Sequence, residues 1–325
     1  MSNIDNLDPT QPVKLVPIAI PKPWGQEIWY TGMELRGESS VQYQGADIPL
    51  SRYLNSIPGA TNNLPLLLLK VLDPDPTPTS GDLYFEVHEE KQEVYIITHV
   101  DSAAWPDGRG SIRIGMDQTL RQDFSDDGKF RTAYLEAVKS YEAIRRAIDE
   151  EGDSLSAEES SARAHMESFT EHRTLAVGDV VKVPTWTPHA LQHGVRVVEF
   201  QTQTYERYII SFAQAVITQD HWDSSHAIAH MNLEPPPKDD FEHITAGVER
   251  IARFEDFNVW RVDGSLQPEL TLPDNIPYAV LMALGPTKVG NLRLNAEEAC
   301  LIPHAALQQT RVRSNTQLLL AAPNL

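Results

Sequence analysis

The stretch Gly81-Asp82-Leu83-Tyr84-Phe85-Glu86-Val87-His88-Glu89-Glu90-Lys91-Gln92-Glu93, running on into Val94-Tyr95-Ile96-Ile97, decides how this chain is read. Glu86 and His88 are separated by one residue, so on a strand both side chains project to the same face. Glu93 opens the next strand-like run. A second stretch, Gly178-Asp179-Val180-Val181-Lys182-Val183-Pro184-Thr185-Trp186-Thr187-Pro188-His189, turns at glycine and proline and delivers His189 into a further strand. Two carboxylates and two imidazoles brought together this way can surround one divalent ion inside a β-barrel. That donor set suits Zn, Fe, Mn or Ni. Taken alone, His88 and Glu93 also fit an exposed hairpin pair; the spacing of the second stretch argues for metal. Glu86 can ligate directly or stand behind the ligands as a base.

Working outward, strand-like runs separated by turn residues recur at 66–72, 83–88, 93–99, 111–115, 180–184, 195–201 and 207–211. Between the two stretches the pattern changes. Phe130, Tyr134, Ala137, Val138, Tyr141, Ile144 and Ile148 recur at helical spacing. Gly152 ends that helix, and Ser156-Ala157-Glu158-Glu159 has the capping-box form that starts another. A helical insertion is therefore expected at about 124–170. Residues 1–23, polar and proline-bearing, read as an extended arm. Residues 232–241 read as a linker. Beyond it, apolar runs at 278–284, 299–303 and 317–322 suggest a smaller β-domain over 242–325, behind a catalytic domain over 1–231.

The chain has 325 residues, enough for a large core, and 27 basic against 46 acidic residues give a net charge of −19. That field repels nucleic-acid phosphate and anionic lipid, so neither is an expected partner. An anionic substrate needs a local positive patch. No apolar run is long enough to span a bilayer, the N-terminus lacks a signal-peptide pattern, and one cysteine, Cys300, excludes an internal disulfide framework. A cytoplasmic protein is expected.

These residues resemble the cupin superfamily. Glu86 stands near the first histidine of the first cupin motif, and residues 178–189 match the spacing of the second, with Trp186 in place of its inner glycine and His193 in place of its final asparagine. A narrower resemblance covers most of the chain: it is similar to the type I mannose-6-phosphate isomerases. Trp24-Gly25 resembles their N-terminal Trp-Gly, and 66–73 their apolar strand carrying a lysine, here Lys70. Glu86-Val87-His88 resembles their Gln-Val-His metal motif. The run 91–97 resembles the strand carrying the metal glutamate, here Glu93, and 178–189 the strand carrying the last metal histidine, here His189. Val198-Glu199-Phe200-Gln201 and Thr204-Tyr205-Glu206-Arg207 resemble Glu-x-Gln-Gln followed by Thr-Tyr-Arg, and Leu301-Ile302-Pro303 the family's Leu-Leu-Pro. The departures are Glu86 for glutamine, Glu89 for the proline after the histidine, a shorter loop before Glu93, and Tyr84 where the family has a phosphate-binding serine.

The resemblance implies an all-β fold with a helical insertion: two cupin (jelly-roll) barrels, the second degenerate. It implies a metal-dependent aldose–ketose isomerase acting on a hexose or hexose phosphate through an enediolate. Glu86, His88, Glu93 and His189 would hold one divalent ion, with zinc expected. Glu199 would shuttle the proton, with Arg207 and Lys70 supplying positive charge. The Tyr84 substitution leads us to expect that free sugars compete with phosphosugars. Read from residues alone, Glu199 alternates with Val198 and Phe200, so it faces either solvent or a barrel interior. Two other readings stay open: a non-catalytic sugar-binding protein, and another cupin metalloenzyme such as a dioxygenase. His193 is expected to line the barrel beside His189, and His304 to be structural. His221, His226 and His230 share a helix face without a carboxylate to complete a site.

Overall fold

The structure is a computed structural model that describes residues 7–34, 37–57, 67–151, 156–213, 222–238, 240–268, 276–307 and 310–324. Leu66, Gly152 and His221 lie outside them. The chain folds mostly into antiparallel β-sheets. The strand order of the six-stranded sheet is Val180–Val183, Glu93–Val100, Val195–Thr202, Leu67–Pro74, Gly25–Trp29, Ile18–Lys22. The five-stranded sheet runs Thr170–Leu175, Gly110–Met116, His189–Leu191, Phe85–Val87, Tyr208–Ser211. A nine-stranded sheet joins strands from the two ends of the chain: Val13–Val16 pairs with Ala299–Pro303 on one side and Ser40–Tyr43 on the other. A three-stranded sheet of Thr287–Val289, Leu292–Leu294 and Val312–Ser314 and a two-stranded one of Met33–Glu34 and Gly37–Glu38 complete the set among the described residues. The sheets stack face to face, and no closed barrel forms among the described residues.

Three apolar clusters hold the layers together. One gathers Ile97, Val197 and Leu72 of the six-stranded sheet with Ile112, Ile114 and Ile209 of the five-stranded sheet. A second joins the opposite face of the six-stranded sheet (Leu69, Val71, Val94, Val198, Phe200) to the nine-stranded sheet (Leu15, Val259, Val280, Leu301). A third joins the other face of the nine-stranded sheet to Val289 and Leu294. A strand with a core on each side needs apolar residues at nearly every position, and that is how Leu67–Pro74 and Tyr278–Ala283 read.

The helical insertion forms as two helices, Asp127–Glu151 and Ser156–Glu167. The stripe Phe130, Tyr134, Ala137, Val138 and Tyr141 is buried in the cluster that contains Phe85 and Val87. Strand alternation points these two away from Glu86, so the helices cover the outer face of the five-stranded sheet. The expectation of an N-terminal arm is corrected: Val13–Val16 and Ile18–Lys22 are integral strands of two different sheets. Val13 and Leu15 alternate into the core between partners drawn from residues 40–43 and 299–303. Those partners are remote in sequence, so a local reading sees only polarity and prolines. Residues 232–238 and 240–241 carry no regular structure, consistent with the proline run there.

Candidate metal and proton-transfer site

Register decides what meets in the cleft between the five- and six-stranded sheets. Antiparallel pairing sets Tyr95 opposite Glu199, Glu199 opposite Lys70, and Lys70 opposite Trp29, making one row across four strands. Glu93 lies opposite Gln201 on the same face. From the facing sheet, His189 pairs directly with Glu86, and His88 follows that strand by one residue.

Ligand atoms of Glu86, His88 and His189 all lie within 4.8 Å of one another. Glu93 reaches between the imidazoles: its Oε2 is 3.1 Å from His189 Nε2 and its Oε1 is 3.6 Å from His88 Nε2. His88 Nε2 is 3.5 Å from Glu86 Oε1. Each imidazole turns its Nδ1 to a backbone carbonyl, His88 to Glu206 at 3.0 Å and His189 to Thr187 at 2.9 Å. The Nε2 atoms are therefore presented to the centre, as when a second interaction orients a ligating imidazole. Burial, aided by the Lys91 charge, pushes His88 well below the usual histidine range, so it is neutral with a free lone pair. His88 Nε2 and Glu86 Oε2 are buried without a hydrogen-bond partner. Two orphaned acceptors beside two more carboxylate oxygens cost free energy unless a cation joins them. The donor set fits a divalent ion such as zinc.

The backbone supports this arrangement. Gly178 takes a φ of +94°, which turns the chain into Val180–Val183. Trp186 holds a φ of +59° with a full side chain. Its N–H donates to the carbonyl of His88 at 2.6 Å, tying the His88 and His189 segments together.

Three polar residues here were not assigned roles by the sequence reading. Lys91 is buried with its Nζ 2.6 Å from Glu93 Oε1, and Tyr95 donates to Glu93 Oε2 at 2.5 Å. Burial opposes the charge on Glu93, but Lys91 and then His88 hold its carboxyl well below the ordinary range. Glu27, also buried, pairs with Lys22 at 2.9 Å, lies 3.7 Å from Lys70 and accepts from Trp29 Nε1 at 2.6 Å. Against the cost of burial, Lys70 and Lys22 bring its pKa down to about 2. The available signals were the one-residue separation of Lys91 and Glu93 and a carboxylate alternating with Trp29 on a strand.

Glu199 faces the interior: it is 2 % exposed, and its Oε2 has no hydrogen-bond partner, with Lys70 Nζ 3.7 Å away. Burial pushes its pKa up to about 8 despite Lys70. Lys70 Nζ donates to Gln201 at 2.7 Å. Arg207 lies in the loop before Tyr208–Ser211 and stacks its guanidinium 5.0 Å over the Tyr84 ring. Lys70, Glu86, Glu93, Glu199 and Arg207 all line one cleft. His193 does not join it. It pairs with Asp82 at 2.7 Å and stacks on Trp105, so the expectation that it lines the site with His189 is corrected. A carboxylate in the first stretch draws it to the other end of the strand. His304 turns its Nδ1 to the carbonyl of Ile276 at 2.8 Å.

This fold is that of the mannose-6-phosphate isomerases, the class to which the similar solved structures belong. The enzyme from Bacillus subtilis superimposes with a TM-score of 0.69 at 15 % identity, covering 96 % of this chain and 99 % of that one. A mutant phosphomannose isomerase from Salmonella typhimurium gives 0.69 at 13 % identity over 97 % and 100 %. A zinc-bound mannose 6-phosphate isomerase gives 0.70 at 12 % identity over 97 % and 100 %. Comparison of the sequence with protein-family profiles gives no match. Comparison with curated proteins gives none either.

Proposed function

We propose that this protein is a metal-dependent aldose–ketose isomerase of the mannose-6-phosphate isomerase type, interconverting hexoses or hexose phosphates through an enediolate. The observation that carries the reading is an imidazole–carboxylate cluster whose Glu86 and Glu93 line one cleft together with Glu199, a buried carboxylate whose pKa lies near neutrality. Glu86, His88, Glu93 and His189 are the ligand set. A bound divalent ion supplies electrostatic stabilisation for oxygen as it gains negative charge.

The chain's own residues account for the remaining chemistry. Isomerisation moves a proton between adjacent carbons, which needs one group able to take and return it. Glu199 has no competing hydrogen bond on Oε2 and a pKa of about 8, close to the optimum for a shuttle working near neutral pH. Lys70, held by Gln201, keeps positive charge 3.7 Å from that oxygen. Arg207 presents a permanent cation to the same cleft, where it can hold substrate oxygens. Lys91 and Tyr95 fix Glu93 and keep it ionised. The same reading takes the paired sheets as two jelly-roll barrels, the second degenerate, with the chemistry in residues 1–231.

Elemental analysis of purified protein, paired with an isomerase assay on free and phosphorylated hexoses, tests the proposal. We expect one divalent ion per chain, lost in His189→Ala with the fold retained by circular dichroism. Full metal occupancy in that variant after dialysis rules out the ligand set. A metal-loaded wild type that converts no hexose or hexose phosphate rules out the isomerase assignment.

A further inference from the structure

The cations lining the cleft are, with one exception, already matched by carboxylates. Among the described residues they are Lys22, Lys70, Lys91 and Arg207. Lys22 is held by Glu27 at 2.9 Å and Lys91 by Glu93 at 2.6 Å. Lys70 donates to Gln201 and stands 3.7 Å from both Glu27 and Glu199. Arg207 alone makes no ion pair or hydrogen bond among the described residues, and it is laid on the face of Tyr84. Among the described residues the carboxylates of the same lining are Glu27, Glu34, Glu86, Glu93, Glu199 and Glu206, two more than the described cations. With Glu199 protonated near neutral pH, one divalent cation leaves this lining about one positive charge in surplus, short of the two that a phosphate dianion would balance. No helix N-terminus lines it among the described residues, so the other common source of phosphate affinity is missing there. A phosphate dianion is recognised by several unspent donors, commonly arginine forks or backbone nests.

We propose that the cleft takes a neutral hexose in preference to its phosphate ester, and that Glu27 sets this preference by occupying Lys22 and Lys70. The inference rests on the isomerase reading of the site and deepens it. A neutral sugar meets the cleft's acceptors and donors through hydroxyl groups and adds no charge. A phosphate ester adds two negative charges to a lining already rich in carboxylates. Glu27 is placed for the role: both of its oxygens are engaged, by Lys22 and by Trp29 Nε1, and it is 8 % exposed, so solvent screens it little. Its pKa of about 2 keeps it charged across the working range.

The test compares kcat/KM for glucose, mannose and fructose with that for their 6-phosphates, in the metal-loaded wild type and in Glu27→Gln. Wild type is expected to favour the free sugars. Raising salt from about 20 to about 300 mM should increase kcat/KM for the phosphates severalfold and leave the free sugars unchanged, because screening relieves repulsion. In Glu27→Gln the ratio of phosphate to free-sugar kcat/KM should rise about tenfold, a ratio unaffected by uniform damage to the variant. Glutamine can still accept from Trp29, so the fold has reason to persist. A wild type that prefers the phosphates, with kcat/KM for them falling as salt rises, overturns the inference. If neither class is turned over, the isomerase reading fails. Calorimetric affinities of the metal-loaded chain for mannose and mannose 6-phosphate then decide the charge preference on their own: tighter or equal phosphate binding overturns it, tighter free-sugar binding upholds it.

Discussion

Across the six-stranded sheet, one row of four cross-strand neighbours reads Trp29, Lys70, Glu199, Tyr95. Across the nine-stranded sheet, a row of the same construction reads Trp260, Leu320, Leu281, Cys300. Both rows are buried, and both face another sheet. The second row gains on the order of 25 cal/mol for each Å² of apolar surface it hides. The first carries the desolvation of an ammonium and a carboxyl, which pairing offsets only in part. One register position away, the opposite face of the same six-stranded sheet is apolar through Leu69, Val71, Val198 and Phe200. The fold is able to fill such a position with hydrocarbon, and in the cleft it holds charge instead. Ionisable groups held inside at the cost of stability are the pattern expected of a reactive site.

The sharpest way to break this contrast is to remove the proposed proton shuttle from the charged row. Glu199→Gln keeps size and hydrogen bonding but cannot carry a proton, so turnover should fall about a hundredfold or more with metal retained. Its effect on stability should have the opposite sign. Burial lifts the folded pKa to about 8, so the contribution of the protonated form is full below the unfolded value of 4.5 and lost as pH rises through 8. The variant should therefore be as stable as wild type at pH 7, or more so. Wild-type turnover in this variant ends the proposed mechanism. Leu281→Ala, at the centre of the apolar row and fully buried, should do the reverse, costing about 2–5 kcal/mol in urea unfolding while the folded fraction keeps its metal. An equal loss of metal from folded protein would show that the two rows are not separable.

Glu27 sharpens the comparison by acid titration. Its folded pKa is depressed to about 2 from 4.5, so its contribution to stability is full above 4.5 and lost as pH falls towards 2. The shift corresponds to about 3 kcal/mol. The stability difference between wild type and Glu27→Gln, followed by urea unfolding from pH 6 to pH 2.5, should largely disappear at the acid end. A difference that does not vary with pH would show that Glu27 is not held ionised by Lys22 and Lys70. The smallest effect is expected at His304→Ala, which removes one hydrogen bond to Ile276, worth about 1 kcal/mol, and should leave metal content and turnover unchanged. Loss of metal there would move the chemistry into the distal sheets.

The sequence was informative wherever the signal is periodic and local. Strands period by two, so one intervening residue suffices to put Glu86 and His88 on the same side of a strand. A helix repeats every 3.6 residues, so the stripe from Phe130 to Tyr141 announces the buried face of Asp127–Glu151 without knowledge of what covers it. The turn at Gly178 could be read because positive φ favours glycine. What tertiary structure alone decided is which distant strands pair, and in what register. Val13–Val16 looked like an arm because its partners lie at opposite ends of the chain. Alternation left Glu199 a choice of two faces, and the five-stranded sheet packed over one of them made that face an interior. The Glu27–Lys22–Lys70 cluster and the Lys91–Glu93–Tyr95 clamp exist because pairing and packing bring charges within ångströms. His193 went to Asp82, and not to the cleft, for the same reason. Periodicity reports which way a side chain points relative to its own strand. It carries no information about the neighbour across the sheet, and that neighbour determines whether a buried charge is paired, shifted or free to react.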